Sequence, residues 1–209
     1  MATHKWRKAR AGEGVYRLLA MTTVWFPDFM VIGLAHLLGP RMVGKVNFYL
    51  PSEAIARLSR KLPPRFIADV AMSLDAEARE HVVPCLPYEV VFNAARPLID
   101  RRAFVETAQF AALLSRANLK LLVLQLNDLP GVAQITGHLP PEKIAEVLLA
   151  FSPQLGAKLI DEMVAQGFGE VIASVQHHFS GLRRRQLLDV LGAAARPLFP
   201  ETSPLQASA

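Results

Sequence analysis

The sequence has a single cysteine, Cys85, among 209 residues. An intrachain disulfide is therefore excluded, and a reducing compartment, the cytoplasm, is the expected location. Charged residues are scarce, at 20% against 52% hydrophobic residues, which excludes a disordered chain and predicts a folded core of real size. The net charge of +5 is mild, and part of it lies in two basic clusters.

Motifs for catalysis are also absent from the sequence. It has no Gly-rich phosphate loop, Walker motif, zinc-ligand spacing or Ser-His-Asp elbow. His177 and His178 are adjacent on a predicted helix, so they do not chelate as an i, i+4 pair does. Cys85 is expected to be a small buried residue, and Glu142 and Glu146 to lie on a solvated helix face. We therefore expect a protein that is not an enzyme, with no cofactor and no metal.

The sequence does contain an internal repeat. LPPRFIADV at Leu62–Val70 returns as LPPEKIAEV at Leu139–Val147, and the similarity continues through the segments that follow. Prolines in the first turn, together with Asp75 and Ser152 as N-cap residues, predict two short helices in each copy. Their apolar residues recur at i, i+3, i+4 and i+7, the spacing of one buried helix face.

A shorter register of twelve residues underlies this repeat. Its large apolar residues are Leu38, Leu50, Leu62, Leu74, Leu86, Leu98, Phe110 and Leu122 and, after a slip of five residues, Leu139, Phe151, Met163, Val175, Leu187 and Phe199. Twelve residues hold about two and a half helical turns and a tight connection. Helices that short are stable only when they pack on one another. The register predicts an all-α stack in which Leu74 and Phe151 are equivalent core positions.

One apolar run, Lys120–Leu126, has the composition of a buried strand when it is taken alone. No partner run with turn residues lies beside it in the sequence. Residues 100–126 are better explained as two helices that are interrupted near Ser115. We therefore expect no sheet.

The short helices that open on LPPE or SP and contain IAEVLLAF and LIDEM resemble the cytosolic N domain of MgtE magnesium transporters. The resemblance covers Leu50–Leu98 and Leu139–Leu191. It implies a right-handed superhelix of short helices, related in shape to parts of the flagellar motor switch protein FliG. It also implies, as one alternative, a regulatory role like that of the transporter domain, whose acidic faces help to sense magnesium. Because this sequence is basic and ends at Ala209, magnesium transport itself is not expected.

The most apolar segment is Tyr16–Gly39, near the N-terminus. It is long enough for a transmembrane helix. However, Pro27 and Asp28 fall in its middle, and a central Asp costs about 3 kcal/mol on insertion. The dipeptide instead predicts a break between two helices. Three arrangements stay open, in this order of preference: a hairpin packed on the stack, a hairpin docked in a membrane interface, and a true span.

Two basic clusters are candidate contact sites. The first precedes the apolar segment and contains Lys5, Trp6, Arg7, Lys8 and Arg10. A tail, a nucleic-acid arm and an anchor for anionic lipid are its possible roles, and its position before an apolar hairpin favours the anchor, so nucleic acid is not an expected partner. The second cluster, Arg183, Arg184 and Arg185, is predicted at a helix start, where the helix dipole disfavours cations; this indicates an anionic contact.

The sequence thus predicts a basic flexible tail at 1–14, an apolar helical hairpin at 15–48, a helical-repeat domain at 49–199 and a disordered C-terminal tail at 200–209. The predicted function is a non-enzymatic adaptor that binds a protein partner, with the cytoplasmic face of the inner membrane as a second binding surface. A lipid- or membrane-binding carrier that uses the hairpin is the alternative. Trp25, Phe26 and Phe29 distinguish the hypotheses, because membrane docking requires them exposed beside cations and a packed hairpin requires them buried.

Overall fold

The computed structural model of the chain describes residues 13–175, 178–179, 181–190, 192–193 and 195–199. These residues form helices and turns with no strand, which confirms the all-α prediction. The run Lys120–Leu126 lies in a helix that begins directly after Ser115, as predicted. The chain divides into two compact units, Met1–Pro97 and Leu98–Ala209.

The first unit is built around one central helix, α3. Helices α1, α2, α5 and α6 all pack against it. Val46 and Leu50 join Ile55 and Leu58 in the buried cluster at the centre of the unit. The helices are α1 (Glu13–Trp25), α2 (Asp28–Leu38), α3 (Pro40–Asn47), α4 (Ser52–Ser59), α5 (Pro64–Ser73), α6 (Ala76–Val82) and α7 (Tyr88–Asp100), with a 3-10 turn at Val83–Cys85.

Two glycines allow α3 to occupy this position. Gly39 joins α2 to α3 with φ +78°, a left-handed conformation that other residues rarely adopt, and Pro40 then starts α3. Gly44 faces α5. A Cβ atom at Gly44 would lie 2.8 Å from the Ser73 Oγ and 3.2 Å from the Leu74 Cδ2, so its absence allows the close approach of the two helices.

The second unit has the more completely buried core. Helix α10 packs against α8 and α12, helix α11 against α9 and α13, and α12 also against α14. The side chains of Ile144, Leu148, Leu159, Ile160 and Met163 have no solvent exposure. The helices are α8 (Phe104–Ala111), α9 (Arg116–Leu126), α10 (Leu129–Gly137), α11 (Pro141–Ala150), α12 (Pro153–Ala165), α13 (Gly169–Val175) and α14 (Gly181–Leu188), with a 3-10 turn at Arg196–Leu198.

Each unit contains one copy of the LPP repeat, as α5 and α6 or as α11 and α12. The predicted N-caps are confirmed: the Asp75 carboxylate accepts a hydrogen bond from the Ala78 N–H at 2.9 Å, and the Ser152 hydroxyl accepts one from the Leu155 N–H at 3.3 Å. These side chains satisfy amide groups that the helix itself leaves without partners. The two helices of each copy therefore begin where local chemistry predicts.

The two copies of the repeat differ in side-chain burial at one position. Leu74 and Phe151 both directly follow the first helix of their copy, in extended conformation. Phe151 is only 5% exposed, whereas Leu74 is half-buried at the side of the first core, so the two are equivalent in place and not in burial. The twelve-residue register and the superhelix stay predictions.

Truncating each of these two side chains to alanine should lower the free energy of unfolding by different amounts. Phe151→Ala is expected to lower the free energy of unfolding by about 3–5 kcal/mol, because it opens a cavity in a closely packed core. Leu74→Ala is expected to cost about 2 kcal/mol or less, because its half-exposed site loses less contact. The control is Glu142→Ala on the exposed start of α11, at about 0.3–1 kcal/mol. Urea denaturation measures all three; equal losses for Phe151→Ala and Glu142→Ala would contradict the assigned core.

Candidate functional site

Helix α1 is apolar on two opposite faces. Its inner face packs into the core of the first unit through Leu19 and Ala20. Its outer face carries a second apolar stripe at helical spacing, and every member is exposed: Val15, Leu18, Met21 and Trp25. A helix that is apolar all round is typical of a site buried in protein or in lipid.

Helix α2 repeats this arrangement. Val31 is buried in the core of the unit, and Leu34 and Leu38 on the same side are half-buried. The side away from the core presents exposed apolar residues, the adjacent Phe29 and Met30 and, about two turns later, Leu37. Phe29 is 74% exposed and Leu37 is 83% exposed. We call these residues and the outer residues of α1 the apolar stripes of α1 and α2.

The two stripes meet at the connection between the helices. Helix α1 ends at Trp25 and α2 begins at Asp28, at the break predicted from Pro27 and Asp28. The Pro27 carbonyl accepts hydrogen bonds from the Met30 and Val31 N–H groups at 3.0 and 3.3 Å, which orders the turn. Trp25 is 86% exposed and Phe26 is 48% exposed. With Phe29 they form an exposed aromatic tip, which is the arrangement that membrane docking requires and a packed hairpin does not.

Asp28 has a structural role at this tip. The Lys61 Nζ lies 2.7 Å from its Oδ2, and the Arg57 Nε lies 3.4 Å from its Oδ1. These ion pairs attach the start of α2 to the end of α4. The hydrogen bond from Lys61 lowers the pKa of Asp28 below its ordinary value; partial burial opposes the shift and the charge of Arg57 adds to it. The charge that counts against a membrane span is therefore balanced within the protein.

Exposed cations accompany the stripes. The Arg17 guanidinium lies 5.5 Å from the ring centroid of Tyr49, and the Lys45 ammonium lies 5.5 Å from that of Tyr16. Such cation–π contacts position a charge without neutralising it. Arg41 is exposed one turn before Lys45 on α3. Of the six Lys or Arg in residues 13–62, Arg57 and Lys61 pair with Asp28 and Arg60 pairs with Glu89; the other three are Arg17, Arg41 and Lys45.

An apolar pocket of about 50 Å³ lies between α1, α2 and α3. Two of its lining residues carry polar side chains, Thr23 and Asn47, and the Thr23 hydroxyl already donates a hydrogen bond to the Ala20 carbonyl at 2.7 Å. A wall of this kind offers water few partners. The lining residues are Leu19, Thr23, Val31, Ile32, Leu34, Ala35, Leu38, Val43, Val46, Asn47, Leu50, Leu58 and Leu62.

The basic clusters contribute less to the site. Lys5, Trp6, Arg7, Lys8 and Arg10 lie outside the described residues, as do the side chains of Arg183 and Arg184 in α14. Arg185 is exposed. Helix α14 begins at Gly181, so the cluster starts in its first turn as expected, and Arg185 also falls in the last turn of this eight-residue helix, where the helix dipole favours a cation.

The other candidate groups are dispersed. The half-buried Cys85 thiol donates a hydrogen bond to the His81 carbonyl at 3.1 Å. Glu146 pairs with Lys143 at 2.8 Å, and His178 is exposed. Within the described ranges, no three His, Cys, Asp or Glu side chains come together as a metal site requires.

Sequence reasoning identified the aromatic tip and missed the rest of the stripes. Val15, Leu18, Met21, Met30 and Leu37 were not among the candidate residues, although Val15, Leu18 and Met21 recur every third residue and Met30 and Leu37 lie seven residues apart, both of which are helical spacings. That second periodicity is a signal that the sequence already contains. The pocket has no such signal, because it forms only where consecutive helices pack on one another.

No known protein family, curated protein or solved structure matches this chain. No helix in the described part of the chain is long and apolar enough to cross a bilayer. The apolar stripes of α1 and α2, the cations around them and the pocket between the helices are therefore the features on which a function can be argued.

The Asp28 ion pairs predict a pH dependence. A carboxylate whose pKa is lowered by folding stabilises the protein above its unfolded pKa of about 3.9, and this stabilisation is lost as the pH falls through the lower folded value. Asp28→Asn should therefore lower the melting temperature near pH 7, and the gap from the wild type should close near pH 2.

Thermal melts of both proteins across this pH range provide the measurement. Glu142→Gln, which removes an exposed carboxylate from the start of α11, serves as the control, and its gap from the wild type near pH 7 should be smaller than that of Asp28→Asn, because this charge only adds to the helix start. A constant gap between Asp28→Asn and the wild type at every pH would contradict the ion-pair role.

Proposed function

We propose that this protein is a non-enzymatic helical adaptor that docks on the anionic cytoplasmic face of a membrane through the apolar stripes of α1 and α2. The observation that carries the proposal is the exposure of large apolar side chains along the stripes and at the aromatic tip, with Trp25 86% exposed, on helices that carry or contact the exposed cations Arg17 and Lys45. Exposed apolar surface of this kind on a folded protein marks an interaction site.

The energies are sufficient for reversible docking. Full burial of one large apolar side chain contributes about 1.5–3 kcal/mol. Trp25, Phe29 and Leu37 are the most exposed of the stripes and stand to gain most from insertion. Each basic residue near an anionic surface adds about 1 kcal/mol. These terms together reach the roughly 8 kcal/mol of micromolar binding, before the cost of association is subtracted.

A lipid surface fits the stripes better than a protein groove does. Trp, Phe and Leu on one side with Lys and Arg nearby is the composition of helices that lie in a membrane interface. Trp25 at the tip also suits the boundary between headgroups and acyl chains, where its ring is apolar and its N–H still finds a partner. A protein partner for the stripes is the second candidate, and the experiment below separates the two.

The repeats support the part of the proposal in which the protein binds a protein partner. We propose that the short helices of both units follow the twelve-residue register in a right-handed superhelix, because stacked short helices create extended surfaces for binding. This surface would hold the protein partner while the stripes hold the membrane. A regulatory role like that of the MgtE N domain fits the same arrangement.

Vesicle binding tests the proposal. The chain should sediment with vesicles that contain phosphatidylglycerol, and binding should fall with added salt, because exposed charges are screened. Phe29→Ser with Leu37→Ser should abolish binding without unfolding, because both side chains are exposed. The matched control is Leu124→Ser with Leu182→Ser, which removes exposed leucines from the second unit. Equal loss in both double variants would point to general adhesion and contradict a specific face.

Tryptophan fluorescence tests whether the aromatic tip inserts into the membrane. The chain has two tryptophans, so Trp6→Phe leaves Trp25 as the single reporter. Its emission should shift to the blue on anionic vesicles and be quenched by brominated acyl chains. Arg17→Gln and Lys45→Gln should each weaken binding about five-fold, the effect of about 1 kcal/mol. Wild-type protein that stays in the supernatant at low salt would leave only the protein-binding role.

A further inference from the structure

We infer that two copies of the chain pair in solution through α2, in antiparallel orientation, with a twofold axis at Gly33, and that this pairing controls the access of a membrane to the stripe of α2. The pairing itself is argued from α2 alone. The control of docking rests on the proposed function, because Phe29 and Leu37 would contact either the second copy or the membrane.

Gly33 has no role within the chain that requires a glycine. It lies at the centre of α2, is exposed, and does not have a positive φ. A Cβ atom at Gly33 would meet no other part of the described chain within 4 Å. A glycine in a helix interior costs about 0.5–1 kcal/mol relative to alanine. Neither the core nor the backbone conformation therefore explains this glycine.

Close approach of another helix does explain it. Phe29, Gly33 and Leu37 recur at i, i+4 and i+8, so they form one ridge along the outer face of α2. Phe29 and Leu37 are 74% and 83% exposed, and Gly33 is the low point between them. A glycine at such a point lets a second backbone come close. Fluid acyl chains would cover the ridge with or without a Cβ atom there, so Gly33 indicates a helix that packs on α2 in solution.

The ridge is complementary to a second copy of itself. Phe29 lies four residues before Gly33, and Leu37 lies four residues after it. In an antiparallel pair with a twofold axis at Gly33, the two glycines face each other and Phe29 of each copy faces Leu37 of the other. A twofold interface has this reciprocal pattern. Packing of i, i+4 ridges of two helices also gives the commonest crossing angle, about −50°. A second copy is therefore the occupant that α2 favours.

The charges of α2 permit this pairing and favour its orientation. The ionisable residues of the helix are Asp28 and His36. Asp28 is paired with Arg57 and Lys61, and the His36 ring lies 4.7 Å from the ring of Phe66. A parallel pair would bring the two charged groups around Asp28 together, whereas an antiparallel pair keeps them at opposite ends. Antiparallel helix dipoles also attract each other.

The exposed apolar surface is sufficient for a reversible dimer. Phe29, Met30 and Leu37 lie along α2, and Trp25 and Phe26 lie at one end of it; their exposed fractions range from 47% to 86%. Since a large aromatic residue has about 150–250 Å² to bury, this surface amounts to roughly 600 Å² per copy. Two copies would bury about 1,200 Å², the lower end of the range for specific interfaces. We therefore expect a dissociation constant of roughly 1–100 μM.

Sedimentation velocity of the full chain, without vesicles or detergent, tests the pairing. The wild type should show a monomer–dimer equilibrium in that concentration range. Gly33→Leu should weaken the dimer at least ten-fold, because two leucines at the axis keep the backbones apart. It should keep or raise the melting temperature, because leucine is the better helix former and its side chain meets open space.

Gly14→Leu is the matched control, because a Cβ atom at this glycine of α1 also meets nothing within 4 Å. It should dimerise like the wild type. A wild type that is monomeric throughout the range, or a Gly33→Leu variant that dimerises as tightly as the wild type, would overturn the inference.

Cross-linking tests the orientation of the pair. In a Cys85→Ser background, which removes the natural thiol, Gly33→Cys should form a disulfide across the axis under mild oxidation. Chains with Phe29→Cys should cross-link to chains with Leu37→Cys and not to one another. Phe29→Cys chains that cross-link among themselves would indicate a parallel pair and contradict the antiparallel axis.

Vesicle binding separates this inference from the proposed function. Gly33→Leu should bind phosphatidylglycerol vesicles at least as tightly as the wild type, because acyl chains accept another apolar side chain and no dimer has to open. Phe29→Ser with Leu37→Ser should lose both the dimer and vesicle binding. A wild type that dimerises and does not bind vesicles would support the pairing and contradict the docking function. Loss of vesicle binding in the folded Gly33→Leu variant would show that docking needs the dimer, and would overturn the control of docking by pairing.

Discussion

The packing of α1 and α2 on α3 is the constraint on which the candidate site depends. Helix α3 has only eight residues, yet it contacts four other helices because Gly44 allows a close approach to α5. The inner faces of α1 and α2 are buried in this contact. Their outer stripes have no further helix to cover them among the described residues of the unit, so the exposure of Trp25 and Leu37 follows from the position of α3.

Exposed apolar stripes do not stabilise the isolated unit. Large side chains that stay in water gain nothing from folding, and contiguous apolar surface promotes association. A fold that needed only stability would place polar residues at these positions, as the exposed face of α4 does with Glu53 and Arg57. The core explains the composition of the inner faces and does not explain that of the stripes, which the proposed docking function would account for.

The charge of Asp28 indicates one thing in the sequence and has a different role in the structure. In the sequence it interrupts an apolar segment and argues against a membrane span. In the structure it starts α2 and pairs with Arg57 of α4 and with Lys61, which directly follows that helix. The aromatic tip is thus supported by an ionic contact that leaves the apolar side chains free to face outward. Asp28 therefore both interrupts the apolar segment of the sequence and attaches the start of α2 to the rest of the unit.

Local chemistry in the sequence determined the helices and several of their starts, since helical periodicity and the N-caps at Asp75, Ser115 and Ser152 act within a few residues. Tertiary structure decided which of two apolar faces became the core. For α1 and α2 both faces have helical spacing, so periodicity could not distinguish them. It also decided that Leu74 is half-buried and Phe151 buried, and that a pocket forms, because burial and cavities depend on how helices pack against one another and not on the spacing of residues within one helix.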